Sequence, residues 1–217
     1  MKDNRNLVIG IALLMVGIIG LNTLPGMSMT MGGGMMTDRQ HMKDMMKGMM
    51  GALLPPGIHP ENLPDPQSAG ARLLAQYCTQ CHDLPGPGMH TAEQWASVLD
   101  RMNQRMRMMS GRGMMGMMQD IKAPSDTELQ TLVRYLQQHA QVPIDRTRYT
   151  DLNTPAGTLF EATCSQCHVL PDPRQHTSGE WPVVVERMAK NMRTMGKPAP
   201  ERATLDTVLG FLQAHAK

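Results

Sequence analysis

The chain is poor in aromatic side chains, since Phe, Tyr and Trp make up only 3% of its 217 residues. A domain of about 70 residues with so few rings would have a thin apolar core. Acidic and basic residues nearly cancel, at a formal net charge of +2, so the composition does not support a nucleic-acid-binding function. No segment alternates polar and apolar residues in the manner of a β-strand. These absences favour small all-α domains whose cores include apolar surface that the chain itself does not supply.

Cysteine is also scarce, and all four cysteines fall in two copies of the motif Cys-x-x-Cys-His. This motif is the attachment signal of a c-type haem: two thiols form thioether bonds, and the adjacent imidazole becomes the proximal iron ligand. A redox dithiol would need a βαβ context, and a four-thiolate zinc site would leave both histidines without a role. The motifs therefore predict two covalently bound haem c groups, which would also supply the missing apolar surface. Box 1 contains Cys78, Cys81 and His82, and box 2 contains Cys164, Cys167 and His168.

The longest apolar run lies near the N-terminus, at residues 7–21. Lys2 and Arg5 precede it, and no charged residue follows until Asp38, which is typical of an export segment with its positive end inside. No small-x-small cleavage site follows the run, so we favour an uncleaved anchor in residues 1–26 over a removed signal peptide. The sequence thus predicts one anchor in the cytoplasmic membrane, with the haem domains in the periplasm.

Residues 27–66 are expected to form a linker with two differently composed parts. The first part belongs to a Met-rich tract, residues 26–51, that holds ten methionines. Soft thioethers prefer Cu(I), so the tract is a candidate copper site. A flexible tether or an amphipathic stretch on the membrane surface would have the same composition. The second part is Pro-rich and is expected to be extended, holding the first domain away from the membrane.

The rest of the chain is an internal repeat. With the boxes aligned, Leu84-Pro85 matches Leu170-Pro171 and Trp95 matches Trp181, while the first copy is ten residues longer before its last helix. Each copy reads as helix, box, Pro-containing loop, helix, loop and helix. We predict two tandem domains, residues 67–142 and 153–217, separated near Pro143. The predicted helices are 70–77, 92 onward and 125–139 in the first copy, and 156–163, 178 onward and 201–215 in the second.

These features resemble the class I cytochrome c family in a tandem dihaem form. The resemblance covers residues 68–142 and 154–217, and it rests on the boxes and on the aromatic-Leu pairs Tyr135-Leu136 and Phe211-Leu212. It implies that the first and last helices of each copy cross beside the haem, and that the protein has redox partner proteins. The chain departs from the common family pattern because neither copy has a clear Met-Pro ligand loop before its last helix.

The sixth iron ligand is therefore sought among methionines that recur in both copies at helical spacing. A thioether ligand raises the haem potential and suits electron transfer, although such a stripe is also typical of ordinary core. His90 and His176 are rival ligands, for which we favour a propionate hydrogen bond or a structural role. Trp95 and Trp181 are expected to pack on the porphyrin and donate an indole N–H to a propionate. In order of preference the methionine pairs are Met102 with Met188, Met106 with Met192, and Met109 with Met195.

The sequence thus predicts a membrane-anchored dihaem c-type cytochrome that relays single electrons and is not an enzyme. A dihaem peroxidase would need a polar acid–base group over one open haem, and the two copies carry no distinctive residue of that kind. A copper-handling haem protein that uses the Met-rich tract is the other alternative.

Overall fold

The computed structural model describes residues 54–110 and 121–217, together with positions 41, 44, 45, 48, 49 and 51. Within these residues the chain forms α-helices and short 3-10 turns, and it has isolated β-bridges but no strand. This confirms the all-α prediction. The helices are α1 (Ala69–Cys78), α2 (Ala92–Ser110), α3 (Asp126–Gln138), α4 (Pro155–Cys164), α5 (Trp181–Thr194) and α6 (Arg202–Ala214).

Two sequence predictions fall wholly or largely outside the described residues. These are the membrane anchor at the apolar run 7–21 and the copper site in the Met-rich tract, of which only scattered positions are described. Among the described residues, no helix is both long and apolar enough to cross a membrane. Both assignments stay predictions.

Helices α1, α3 and α4 begin at side-chain caps that satisfy otherwise unpaired backbone N–H groups. Ser68 accepts a hydrogen bond from the N–H of Ala71, and Thr154 accepts one from the N–H of Gly157. At α3, Ser125 and Glu128 form a capping box, in which each side chain accepts from the other's backbone N–H. Local sequence therefore determines where these three helices start.

The middle helices of the two copies begin differently, although both follow a His-Thr pair. Thr91 exchanges hydrogen bonds with Gln94 and caps α2, which begins at residue 92 as predicted. Thr177 instead bonds the carboxylate of Glu180, and α5 begins three residues later than expected, at Trp181. The cause is Pro182, which has no N–H to donate and fits only in the first turn of a helix.

Helices α1, α2 and α3 form the first trio, which has its own apolar core. Helix α1 packs against α3, and the two backbones approach so closely that a Cβ on Gly70 would lie 2.3 Å from the Cβ of Tyr135. The core also extends towards the N-terminus of α1. Leu63 is buried in it, and the hydroxyl of Tyr135 donates to the carbonyl of Pro64, 2.6 Å away. The end of the expected linker is thus part of the first trio's core, because it supplies the apolar side chain of Leu63 there.

Helices α4, α5 and α6 form the second trio in the same arrangement. Its first and last helices also pack together, here through the stacked rings of Phe160 and Phe211, whose centroids are 5.1 Å apart. In both trios the first and last helices therefore meet, as the cytochrome c resemblance implies. Helix α5 ends at a Schellman motif in which Gly196 has a φ of 64° and the N–H of Lys197 donates to the carbonyl of Met192.

The connecting segment, residues 139–154, joins the trios and is bonded to the loop that follows box 2. Pro143 and Pro171 form an antiparallel bridge. On one side of it the N–H of Ile144 donates to the carbonyl of Leu170, and on the other the N–H of Asp172 donates to the carbonyl of Val142, both at 2.9 Å. Backbone hydrogen bonds therefore hold this segment against box 2. Its residues Tyr149 and Leu152 are buried in the second core.

Candidate haem sites

Each box lies where the first helix of its trio ends. Cys78 and Cys164 are the last residues of α1 and α4, so their side chains reach the core from the final helical turn. The residue after each of them closes that turn. The hydroxyls of Thr79 and Ser165 both donate to a carbonyl four residues earlier, at 2.7 Å. The two boxes thus have the same local backbone support.

The thiols of Cys78, Cys81 and Cys164 are in environments that disfavour the thiolate. Burial raises the pKa of Cys78 and of Cys164 to about 12, and the neighbouring Cys81 thiol adds to the shift at Cys78. Burial also raises the pKa of Cys81. None of the four cysteines forms a disulfide. Because reactive dithiols depend on a lowered thiol pKa, these boxes do not have the properties of a redox dithiol. Neutral thiols on an apolar wall fit the thioether attachment of a porphyrin.

The histidine of each box is held in the tautomer that iron ligation requires. Nδ1 of His82 lies 2.7 Å from the carbonyl oxygen of Asp83, and Nδ1 of His168 lies 2.9 Å from that of Val169. A carbonyl oxygen can only accept, so Nδ1 carries the proton and Nε2 keeps its lone pair. A backbone carbonyl bonded to the second ring nitrogen is a common way to orient a metal-binding imidazole.

The methionines proposed as sixth ligands lie along α2 and α5. In the first trio Met102, Met106 and Met109 all contact the core cluster that contains the box 1 cysteines. Met106 is buried, and its sulfur lies 3.8 Å from Nε2 of Gln80 inside the box. In the second trio the matching Met192 is buried, whereas Met188 and Met195 are half-buried. The stripe therefore faces the predicted side of the helix in the first trio, and the choice of ligand stays a prediction.

The two tryptophans have a partner other than the one expected for them. Each is buried, and each donates its indole N–H to a proline carbonyl: Trp95 to Pro87 at 2.7 Å and Trp181 to Pro173 at 2.9 Å. That N–H is therefore used within the protein and does not point to a propionate. The bond joins the start of the middle helix to the loop after the box. Packing of the tryptophan rings on the porphyrin stays a prediction.

His90 and His176 pack edge-on against those tryptophans, with ring centroids 4.8 Å apart in both copies. Burial lowers the pKa of both imidazoles. Arg101 lowers the pKa of His90 further, while Glu180 acts in the opposite direction at His176. These contacts support a structural role, which is one of the two roles that the sequence favoured, and the propionate hydrogen bond stays a prediction.

Sequence reasoning missed one contact of box 1. Gln80 donates to the carbonyl of Lys122 at 2.9 Å and accepts from the N–H of Lys122 at 2.7 Å. The matching Gln166 of box 2 donates only to Ala162 on its own helix. The repeat does place a glutamine in both boxes. Its partner could not be found from the alignment, because Lys122 follows the ten-residue insertion that only the first copy has.

These residues fit a covalently attached haem c in each trio. The thiols lie at a helix end, the adjacent imidazole has its Nε2 lone pair available, and a buried apolar core adjoins both. The set of donors is the one that the attachment motif requires.

Comparison with known protein families agrees with this geometry for the first trio. Residues 65–136 match the family described as cytochrome C oxidase, cbb3-type, subunit III. The match spans about a third of the chain and includes α1, box 1, α2 and most of α3. No curated protein sequence and no solved structure matches the chain.

Proposed function

We propose that the whole chain is a dihaem c-type cytochrome that relays single electrons. Residues 65–136 match a family of class I c-type cytochrome domains, and the chemistry of such domains is haem-based electron transfer. The observation that supports a second haem is that the two boxes have the same local geometry. In both, the first thiol ends a helix and the histidine Nδ1 donates to the next backbone carbonyl. A four-thiolate zinc site or a redox dithiol would leave that oriented imidazole without a role.

The bound haem would supply an iron that alternates between the ferric and ferrous states. The chain's own residues hold and shield it. The four cysteines anchor the porphyrin edge, His82 and His168 present Nε2, and the apolar side chains of α2 and α5 keep water away. A methionine of the repeated stripe would complete the ligand set, with Met102 and Met188 as our first candidates.

We further propose that the chain is anchored in the cytoplasmic membrane by residues 7–21, with both trios in the periplasm. The apolar run and the preceding Lys2 and Arg5 support this orientation. Redox partner proteins would bind the exposed surface of the trios. The exposed arginines Arg101 and Arg105 on α2 offer positive charge to an acidic partner.

Removing the thiols of one box at a time tests the proposal. Cys78→Ala with Cys81→Ala should leave one haem, as should Cys164→Ala with Cys167→Ala. The number of haems is read from the intact mass of the denatured protein and from haem staining of a denaturing gel. An unaltered protein carrying one haem, or a double variant that still carries two, would refute the dihaem assignment.

Electron transfer depends on methionine ligation, which substitutions in the simpler second copy can test. Met188→Ala should abolish one Met-linked charge-transfer band of the oxidised protein, lower one midpoint potential and let that haem bind carbon monoxide. Met192→Ala and Met195→Ala are the matched comparisons. If one of those two produces the three effects instead, Met188 is not the ligand. If only His176→Ala produces a change, the haem has two histidine ligands.

A further inference from the structure

Gln141 is a buried polar residue at the junction of the two trios. Only 5% of its surface is exposed. Its backbone N–H donates to the carbonyl of His90, in the loop that precedes α2, at 3.0 Å. Its side-chain amide donates to the carbonyl of Val169, the residue after box 2. One residue thus bonds the box 1 copy through its backbone and the box 2 copy through its side chain.

The Val169 carbonyl is also the acceptor for Nδ1 of His168. Since a carbonyl only accepts, the Gln141 amide must present its NH2 group there, and its orientation is settled. In the part of the chain that the structure describes, the amide oxygen of Gln141 is buried and has no hydrogen-bond partner. An unpaired buried polar atom typically costs about 1–3 kcal/mol. The donation to Val169 is therefore the distinctive contribution of an amide at this position.

The internal repeat supplies a comparison for this contact. The position that matches Gln141 in the second copy is Lys217, and its backbone N–H makes the matching bond, to the carbonyl of His176 at 3.3 Å. The side chains differ. Lys217 is exposed, and its ammonium donates to the carbonyl of Gln175 at 3.2 Å. The backbone contact is a property of the repeated unit, whereas the amide bond to Val169 belongs to Gln141.

We propose that Gln141 is a positioning residue for the second haem, acting through the Val169 carbonyl on His168. This rests on the proposed function, namely that box 2 holds a haem c. A carbonyl that accepts from two donors binds each less strongly than it would bind one. Gln141 therefore weakens the hydrogen bond from His168, lowers the basicity of that imidazole and raises the reduction potential of the iron it would ligate. The same bond fastens the first trio to the proximal side of the second haem.

Gln141→Met in the full-length dihaem protein tests the proposal. Methionine has a similar volume, and it removes both the donor and the unpaired oxygen, so the fold should tolerate it. A redox titration should show a downward shift of one midpoint potential and no change in the other. The hyperfine-shifted NMR signals of His168 would identify the shifted haem as the second one. Gln137→Met is the control, because Gln137 donates a similar bond to the Ala92 carbonyl on the exposed surface of the first trio. It should change neither potential.

A measurement on the unaltered protein makes the test independent of how well the variant folds. The side-chain NH2 protons of Gln141 should be shifted by the paramagnetic ferric haem of box 2 and should exchange slowly with solvent. Unchanged potentials in Gln141→Met, a shift assigned to the first haem, or unshifted NH2 protons would overturn the role of Gln141. The intact mass, read beforehand, separates these outcomes from failure of the proposed function, which would show as fewer than two haems.

Discussion

The two boxes have the same motif, but the surrounding protein covers them to different extents. In box 1, Gln80 is bonded in both directions to the backbone of Lys122, and Cys81 is half-buried. In box 2, Gln166 bonds its own helix and Cys167 is exposed. The difference arises at Lys122, just before the last helix of the first trio, whose backbone lies against the box. The repeated motif gives both boxes the same local support, and a contact with a distant segment decides how well each is covered.

The last helices of the two trios differ as well, and again the first trio has the additional hydrogen bonds. Helix α3 starts at the Ser125–Glu128 capping box, and Glu128 also accepts from the hydroxyl of Tyr77 near box 1 at 3.0 Å. Helix α6 starts at Glu201, which makes no side-chain cap bond, and the residue matching Tyr77 is Thr163. The first trio thus has a polar contact between its first and last helices, from Tyr77 to Glu128, that the second trio does not repeat at the matching positions. Four predictions test this comparison.

The largest effect is expected at the helix crossing of the first trio. Gly70→Ala would place a Cβ 2.3 Å from that of Tyr135, so we expect a loss of about 1–3 kcal/mol in the free energy of unfolding. Gly210→Ala on α6 is the control, because a Cβ there has no neighbour within 4 Å. It should increase stability by about 0.5–1 kcal/mol through helix propensity. Denaturant unfolding measures both, and equal effects would contradict the close crossing.

Substituting the glutamine of each box compares how much its hydrogen bonds contribute to stability in the two copies. Gln80→Ala breaks two hydrogen bonds to Lys122, so we expect a loss of about 1–2 kcal/mol. Gln166→Ala removes a single exposed bond and should stay within about 0.5 kcal/mol of the unaltered protein. Hydrogen exchange at the Lys122 amide should quicken in Gln80→Ala alone. A slow Lys122 amide in that variant would mean that other contacts hold the segment in place.

Exchanging cap residues should reduce the difference between the last helices. Ser125→Ala removes the capping box of α3 and should cost about 1 kcal/mol. Glu201→Ser supplies α6 with a cap it lacks and should stabilise the protein by up to about 1 kcal/mol. Thermal unfolding of the two variants measures the opposite shifts. No gain in Glu201→Ser would indicate that backbone geometry before α6 does not permit a cap.

The smallest effect concerns pH. Burial lowers the pKa of His90 and His176 in the folded protein, so the unfolded chain binds protons more readily. Stability from this source is fully present above the unfolded pKa of about 6.5 and is lost as pH falls towards the folded pKa. His90→Gln and His176→Gln should each flatten that acid-side loss, because burial is the largest cause of the lowered pKa at both positions. Denaturant midpoints from pH 7.5 down to 5 would show this, and an unchanged slope in both variants would contradict it.

Much of the fold was predictable because its signals are local. Predicted and observed limits differ by one residue for α1, α3, α4 and α6. The starts of the first three were predictable because Ser and Thr caps act within one helical turn. The start of α5 was mispredicted because the His-Thr pair repeats and Pro182 was given too little weight. The indole N–H of each tryptophan was assigned to a propionate, and the carbonyls of Pro87 and Pro173 accept it instead. The sequence does not show which backbone carbonyl, here one eight residues earlier, will accept a hydrogen bond from a side chain.

The sequence by itself determined the two Cys-x-x-Cys-His boxes, the internal repeat and most helix limits, because a box and a helix cap depend on residues within a few positions of each other. Only the tertiary structure decided which thiols are buried, which tautomer each proximal histidine adopts and what covers each box. It alone brought Gln141 to the carbonyl beside His168, at a separation of 28 residues from Val169. Hydrogen bonds between distant segments depend on how two cores pack, and residue spacing along the chain carries no record of that packing.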